Sequence, residues 1–299
     1  MPPGFFTPAF KRVYILIVAH LLRPLQSHDE YLRAEEIQRE VWGFPDREII
    51  PLNELVVAQK NGGHVFGAFD GGRMVAFCFG VPGFKNKKVY HYSRMLGVLP
   101  EVRDQGLGYR MKLFQRELCL KQGLDLVRWT FDPLQSRNGF FNVEKLGVVI
   151  REYGVNLYGD ISGSRFNAGL ETDRFVTDWL IRSRRVQERI RGRRPSPDLE
   201  EEMASRAPGI EARFDASGLA VPDAVRPSVK GRRVYAEIPA DIDELRGREM
   251  ELVRRWRFET RKFFTAVFAR GYLVTGFASG SAGGRRRSAY LLERNPSIR

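Results

Sequence analysis

Apolar residues recur along this chain at two spacings, and each change of spacing marks an element. After Ser27, Ala34, Ile37 and Val41 recur at helical intervals, and Gly43 ends the run. Ser27 and Glu30 form a capping box at its start. The stretch HVFGAFDGGRMVAFCFG reads as two strands joined around Asp70, Gly71 and Gly72, a hairpin. His91 to Leu99 reads as a further strand ended by Pro100. From Leu107 to Leu120 the spacing turns helical again, with Met111, Phe114 and Leu118 on one face and Gly123 as the stop. LDLVRWTF is the next strand, Arg137 to Lys145 a short helix, and VVIREYGVNLYG another strand.

The order strand, helix, hairpin, strand, helix, strand, helix, strand predicts an α/β (α+β) fold. Its sheet is mixed and mostly antiparallel, with helices flanking it. Beyond residue 200 a second folded region is expected. VYAEIP, GYLVTGFASG and SAYLLER read as strands. Asp241 caps a helix, and Leu252, Trp256, Thr260, Phe263 and Val267 recur at helical spacing. No fixed-period repeat is visible. The expected division is a leader over 1–18, a main domain over 19–165, a basic connecting segment over 166–200 and a C-terminal α/β subdomain over 201–299.

Composition adds to this picture. With 299 residues and 43% hydrophobic content, the chain can bury a sizeable core. The apolar run VYILIVAHLL is too short to span a bilayer, so no membrane partner is expected. Cys78 and Cys119 both fall in apolar elements, which predicts buried thiols in a reducing, cytoplasmic setting. The net charge of +13 favours anionic ligands without choosing among them. Seven arginines lie within RSRRVQERIRGRR; a solvated helix face and linker explains them. A nucleic-acid role is not expected, because no zinc spacing, RNP-like pair or recognition helix accompanies them. Nor is a metal expected, since the four histidines are scattered through the chain.

The sharpest chemical signal is the turn VRDQGLG before the second long helix. The first amides of a helix have no intrahelical partner, and the helix end carries a positive field. Glycines at Gly106 and Gly108 let an anion approach that backbone closely. Arg103 and Arg110 stand on either side of the turn. The turn lacks the Lys-Ser/Thr ending of a Walker loop and the third glycine of a dinucleotide fingerprint. Physics alone therefore leaves a phosphate site and a packing device both open.

This turn closely resembles the acyl-CoA pyrophosphate loop of the GNAT acyltransferases, whose Arg/Gln-x-x-Gly-x-Gly/Ala pattern falls on Arg103, Gly106 and Gly108. VEKLG, Val143 to Gly147, resembles the family's second signature. The resemblance covers roughly residues 19–160. WTFDPLQSRNGFFNVEKLG, YGVNLYG, TDRFVTDW and WRFETRKFF resemble a long GNAT subfamily in which some members are linked to amino-acid N-succinylation. The resemblance implies acetyl-CoA or succinyl-CoA as co-substrate and a direct attack by an amine on the thioester. It implies cofactor contacts at Leu96, Val98, Val102, Arg103, Gln105, Gly106, Leu107, Gly108, Tyr109 and Asn142.

Two positions depart from the family pattern. Many GNAT enzymes carry a tyrosine before the Glu-Lys-Leu-Gly stretch to protonate the leaving thiolate; Val143 stands there and cannot donate a proton. Tyr153 and Tyr158 are the downstream candidates for that role. In the closer subfamily a histidine stands where this chain has Arg94, and an arginine offers instead a two-point contact to a carboxylate. Candidate bases are Glu54, His64 and Asp132; Asp132 alternatively caps the turn before Pro133, and His64 reads as structural. Asn138 is a candidate for positioning substrate. Asp173 and Arg174 either hold an amino acid or form an ion pair. The expected partner is a small amine or amino acid, with a homodimer as one option. The rival readings are acylation of a protein N-terminus, a lysine or an antibiotic, and a non-catalytic CoA- or RNA-binding module.

Overall fold

A computed structural model describes residues 15–17, 20–159 and 169–298; most of the expected leader lies outside them. The chain is a mixed α/β fold, divided into two compact units at Leu124/Asp125.

The first unit opens with β1 (Ile15–Ile17) and β2 (His20–Pro24). Next come α1 (His28–Trp42), α2 (Leu52–Lys60), β3 (His64–Asp70), β4 (Arg73–Lys85), β5 (Lys88–Val98) and α3 (Leu107–Lys121). Within this unit the strands pair in chain order, every ladder antiparallel among the described residues. Both ends of α1 follow the sequence signals. The Ser27 hydroxyl accepts from the Glu30 N–H at 3.4 Å, and Gly43, at φ 68°, donates its N–H to the Arg39 carbonyl. The Glu30 carboxylate reaches back to the Gln26 N–H at 2.7 Å and pairs with Arg23 at 2.6 Å.

The β3–β4 turn uses Gly71 and Gly72, both left-handed, as Asp70-Gly71-Gly72 predicts. A second hairpin joins strands that the sequence reading ends at Gly80 and begins at His91. β4 and β5 stay paired out to Lys85 and Lys88, across a turn in which Asn86 and Lys87 both take positive φ. The core lies between this sheet and the helices. Ala34, Ile37 and Leu55 from α1 and α2, and Met111, Phe114 and Leu118 from α3, pack with Phe66, Phe77 and Phe79.

The second unit begins with two short strands, β6 (Leu126–Arg128) and β7 (Thr130–Phe131), where the sequence predicts one. The break falls at Trp129, whose N–H turns to the Thr177 hydroxyl. The expected helix over Arg137–Lys145 is a single α turn, α4 (Ser136–Gly139), that runs on as π-helix through Phe140–Lys145. The π turn shows in the Leu146 N–H, which reaches five residues back to Phe141. Gly139 sits where a Cβ would stand 2.7 Å from Phe277 and 2.8 Å from the Tyr290 hydroxyl. Gly139→Ala is therefore expected to lower stability by about 1–3 kcal/mol through overpacking, measured as a shifted urea midpoint at unchanged slope.

Next come β8 (Val149–Gly154), β9 (Arg174–Leu180), α5 (Arg184–Ile190), α6 (Leu199–Ser205), β10 (Ala207–Phe214), β11 (Ala220–Val225) and β12 (Arg233–Ile238). The unit ends with α7 (Ile242–Arg248), α8 (Met250–Ala269), β13 (Tyr272–Ala282) and β14 (Arg285–Arg294). Within the unit the strand order is β6-β9-β8-β13-β14-β12-β10-β11, with β7 also on β9. β10 and β12 pair in parallel, which makes the sheet mixed. The residues read as a connecting segment thus contain β9, flanked on both sides by strands. Phe175 of β9 anchors an aromatic cluster with Phe131, Tyr153, Phe264, Phe268 and Tyr290.

The arginine-rich segment corrects a second expectation. Two of its arginines are internal instead of solvated. Arg189 is buried and pairs with the fully buried Glu144. Arg185 donates to the carbonyls of Gly147, at 2.9 Å, and Thr275, at 2.6 Å. Burial, reinforced by the neighbouring Arg194 and Arg189, pushes Arg185 down to about 10. Burial likewise raises Glu144 despite the opposing charge of Arg189.

Candidate active site

The first unit holds the predicted anion loop. The Leu99 N–H bonds the Val75 carbonyl at 3.0 Å, which fixes where the chain leaves β5. A short helical turn, Pro100–Val102, follows; then Asp104 (φ 61°) and Gly106 (φ 75°) take left-handed conformations around Gln105. Gly106 is the N-cap of α3. Gly106 offers no side chain to cap this helix and no acidic residue stands in its first turn, and the N–H groups of Leu107, Gly108 and Tyr109 have no partner within the helix at its positive end.

Packing does not demand either glycine. A Cβ at Gly106 would meet nothing within 4 Å, and one at Gly108 would meet only Leu96, at an ordinary 3.8 Å. Gly106 is explained by its positive φ; Gly108 has neither strain nor crowding to explain it. The flanking arginines are not both at the rim. Arg103 folds its Nε onto the Val98 carbonyl at 3.0 Å, bracing the loop. Arg110 turns to His20 Nδ1 at 2.9 Å. Leu107 and Val102 are buried anchors, Leu96 and Val98 are half-buried on β5, and Gln105 is exposed.

Further along β5, the ladder steps from Phe79–Met95 to Gly80–Ser93 and leaves Arg94 as the extra residue. This bulge re-aims the strand. Arg94 lines a cavity of about 330 Å³ together with Ile50, Glu54, Val57, Phe79 and Val81. Its size suits a small ligand. Glu54 comes from the first turn of α2, and it shares the cavity with Arg94 without an ion pair between them. Asn61 lines it as well, and a carboxylate and a guanidinium in a pocket that is mostly apolar can receive an ammonium and a carboxylate at once.

His64 opens β3 in the first unit and meets Gln122 at 3.0 Å; the remaining predicted residues lie in the second unit, where most are engaged internally. Asp132 accepts from the Leu134 N–H at 2.8 Å, as a turn cap, and pairs with the buried Arg257 at 2.5 Å. Burial drives its pKa upward, but the Arg257 guanidinium and, further off, Arg174 outweigh it and hold the carboxyl below the usual range. Asp173, fully buried, accepts a forked pair from Arg261 (2.9 and 2.7 Å), the Tyr153 hydroxyl (2.7 Å) and the Asn156 N–H (2.9 Å). Its ion-pair partner is thus Arg261, not the adjacent Arg174. Burial and the Asp173 charge raise Tyr153 well above the ordinary phenol range. Arg174 donates to the Asp173 backbone carbonyl at 2.8 Å and lies 5.6 Å from the Tyr158 ring. The exposed Tyr158 hydroxyl meets Thr130 at 2.7 Å. Asn142, 4% exposed, takes the Trp129 indole N–H, while Asn138 is exposed on α4.

Arg257 and Arg261 were not among the sequence candidates. The signal was present, because Arg257 falls among Val253, Trp256, Thr260 and Phe264 on the buried face of α8, where a charge needs a partner.

No family model and no curated protein matches the chain. Solved structures with similarity to part of it include the ribosomal-protein-S18-alanine N-acetyltransferase of Escherichia coli, at 15% identity over 54% of this chain and 94% of that one, with a TM-score of 0.42. A GNAT-family acetyltransferase from Streptococcus pneumoniae aligns at 13% identity over 53% of this chain and 97% of that one, TM-score 0.43. Aminoglycoside 6'-acetyltransferase type Ii aligns at 16% identity over 55% of this chain and 98% of that one, TM-score 0.43.

Proposed function

We propose that the chain is an acyl-CoA-dependent N-acyltransferase of GNAT type acting on a small amine that bears a carboxylate, an amino acid in the first instance. One observation carries this reading. A single strand, β5, leads from a bulge that places Arg94 beside Glu54 to a helix N-terminus whose second glycine neither packing nor strain explains.

In this reading the CoA pyrophosphate rests on the N–H groups of Leu107, Gly108 and Tyr109. The acyl-bearing arm follows Val98 and Leu96 toward the bulge. A bulge leaves one residue outside the ladder, and its N–H then polarises the thioester carbonyl. Arg94 holds the acceptor carboxylate, and Glu54 takes the proton that makes the ammonium a neutral nucleophile. Val143 donates nothing to the leaving thiolate, and Asp173 already accepts the Tyr153 proton, so the departing sulfur takes its proton from water or from the new amide nitrogen. Acetyl-CoA and succinyl-CoA both fit as donors.

Acylation of a protein or peptide N-terminus is the second reading. It shares the α-amine, and the cavity wall includes Val57, which is 55% exposed, so a longer acceptor can continue outward. The two readings separate in a CoA-thiol release assay of free amino acids, their amides, and peptides with free N-termini. Release with free amino acids and poor turnover of their amides supports the first; release with peptides alone supports the second. A chain that neither releases nor binds CoA overturns both. Under the first reading, Arg94→Met raises KM for the amino acid about tenfold, the worth of one charge-assisted contact, and leaves KM for the amide unchanged.

A further inference from the structure

The sequence places His64, His91 and Cys119 far apart; the fold brings them together. This corrects the expectation that scattered histidines leave no metal-like cluster. His64 begins β3 opposite Gly80, and His91 lies on β5, so both imidazoles stand on one face of the sheet. Their rings stack 4.3 Å apart, tilted by 27°. Gly80 makes the room, since a Cβ there would stand 2.3 Å from His91 Nε2. The face is covered by α3, from which Cys119 projects. One donor atom from each of the three lies within 4.8 Å of the others, and all three residues are buried.

Hydrogen bonding settles which atoms are available. Gln122 donates its amide to the Gly62 carbonyl at 3.1 Å, so its oxygen faces His64 Nε2 at 3.0 Å and accepts from it. His64 Nδ1 therefore carries the lone pair, and it stands 3.8 Å from Cys119 Sγ. A cation bound at about 2.0 Å to nitrogen and about 2.3 Å to sulfur in a trigonal plane needs a separation near 3.7 Å. Gln115, its oxygen held by Lys112, donates its amide to His91 Nε2 at 3.2 Å, so the resting ring carries its proton on Nδ1, buried without a partner, and ligation through either nitrogen turns that amide away. Burial keeps both imidazoles neutral, pushing His64 to about 4 and His91 to about 2.

We propose that His64, His91 and Cys119 form a three-coordinate site for a thiophilic d10 cation, copper(I) before zinc(II). Two imidazoles and a thiolate match soft and borderline ions. Charge decides between them. The buried Lys112 ammonium, bonded to Ser93 and Gln115, already occupies this pocket. Copper(I) with one thiolate adds no net charge to it, whereas zinc(II) adds a positive charge in a buried place. Binding forms the metal–sulfur bond, breaks the S–H bond and releases the proton to solvent. None of the three donors is among the residues assigned to acyl transfer, and the site does not rest on that reading.

The donors are buried, so the test refolds the full chain anaerobically with one equivalent of copper(I) or of zinc(II). A chromophoric chelator competes for the metal, and X-ray absorption reports its neighbours. The expected result is one copper(I) per chain, with one sulfur and two nitrogen neighbours and a raised melting temperature. Cys119→Ser and His64→Gln should each weaken copper(I) binding at least tenfold, while Cys78→Ser should not. Tighter zinc(II) than copper(I) binding would overturn the charge argument. Absence of a sulfur neighbour in the wild-type spectrum, or loss of both metals to a weak chelator, would overturn the site, and the spectrum stands even where a variant fails to refold.

Discussion

Replacing Gly106 and Gly108 together by aspartate should weaken CoA binding about a hundredfold while leaving the fold in place. Neither new β-carbon is crowded, because one at Gly106 meets nothing within 4 Å and one at Gly108 meets only Leu96 at 3.8 Å. Gly106 itself stands at φ 75°, where a β-carbon is strained, and its replacement costs about 1 kcal/mol of local stability. The electrostatic effect is larger. An anion at a helix N-terminus gains up to about 2 kcal/mol, and two carboxylates turn that attraction into repulsion. A loss of about 3 kcal/mol is a roughly hundredfold rise in Kd. Calorimetry of CoA against both proteins measures it, with circular dichroism as the control for folding. Unchanged affinity in the double variant would remove the loop from the proposed mechanism.

Arg257→Ala should be the most destabilising single change on α8. Arg257 is 1% exposed, and it is the ion-pair partner of Asp132. Removing one member of a buried pair strands the other charge, at about 3–5 kcal/mol. Converting Asp132 to Asn in the same chain should recover part of that loss, because the orphaned charge goes with it. The pair also sets a pH dependence. The folded pKa of Asp132 lies below its unfolded value. Its stabilisation is therefore fully present above the ordinary carboxylate range and fades as pH falls through the folded value. Urea titrations of wild type and Arg257→Ala from neutral to acid pH should converge as pH drops. Parallel curves would mean that the pair contributes no proton-linked stability.

Local signals made much of the architecture readable before the structure. Ser27, Glu30 and Gly43 bracket α1, Asp70-Gly71-Gly72 closes a hairpin, and Gly123 stands just past α3 in a left-handed conformation, because each cap or turn acts within a few residues of itself. The glycine turn before α3 was readable for the same reason. What escaped depends on partners distant in sequence. The β4–β5 hairpin was not read, because one strand was ended at Gly80 and the next begun at His91, although Asn86 takes the left-handed turn that Asn tolerates. Arg94 and Glu54 were candidates separately; that they share a cavity follows from a register step opposite Phe79 and Gly80. His64 and His91 meet through strand pairing and the missing side chain at Gly80. Asp132 was a candidate base and Asp173 a candidate substrate contact because nothing in a charge pattern names Arg257 and Arg261, on a helix distant in sequence, as their partners.

The inward arginines of α5 bear on how this sequence can drift over evolutionary time. On a solvated surface, exchange between arginine and lysine is close to neutral. At Arg185 one planar guanidinium spans two main-chain carbonyls, and at Arg189 another reaches Glu144 and the carbonyls of Arg194 and Pro195. A lysine ammonium is a point donor without that fork. The high basicity of the chain therefore has two parts under different selection. Outward arginines are free to follow the nucleotide composition of the genome, while these two, like Arg257 and Arg261, are held by geometry.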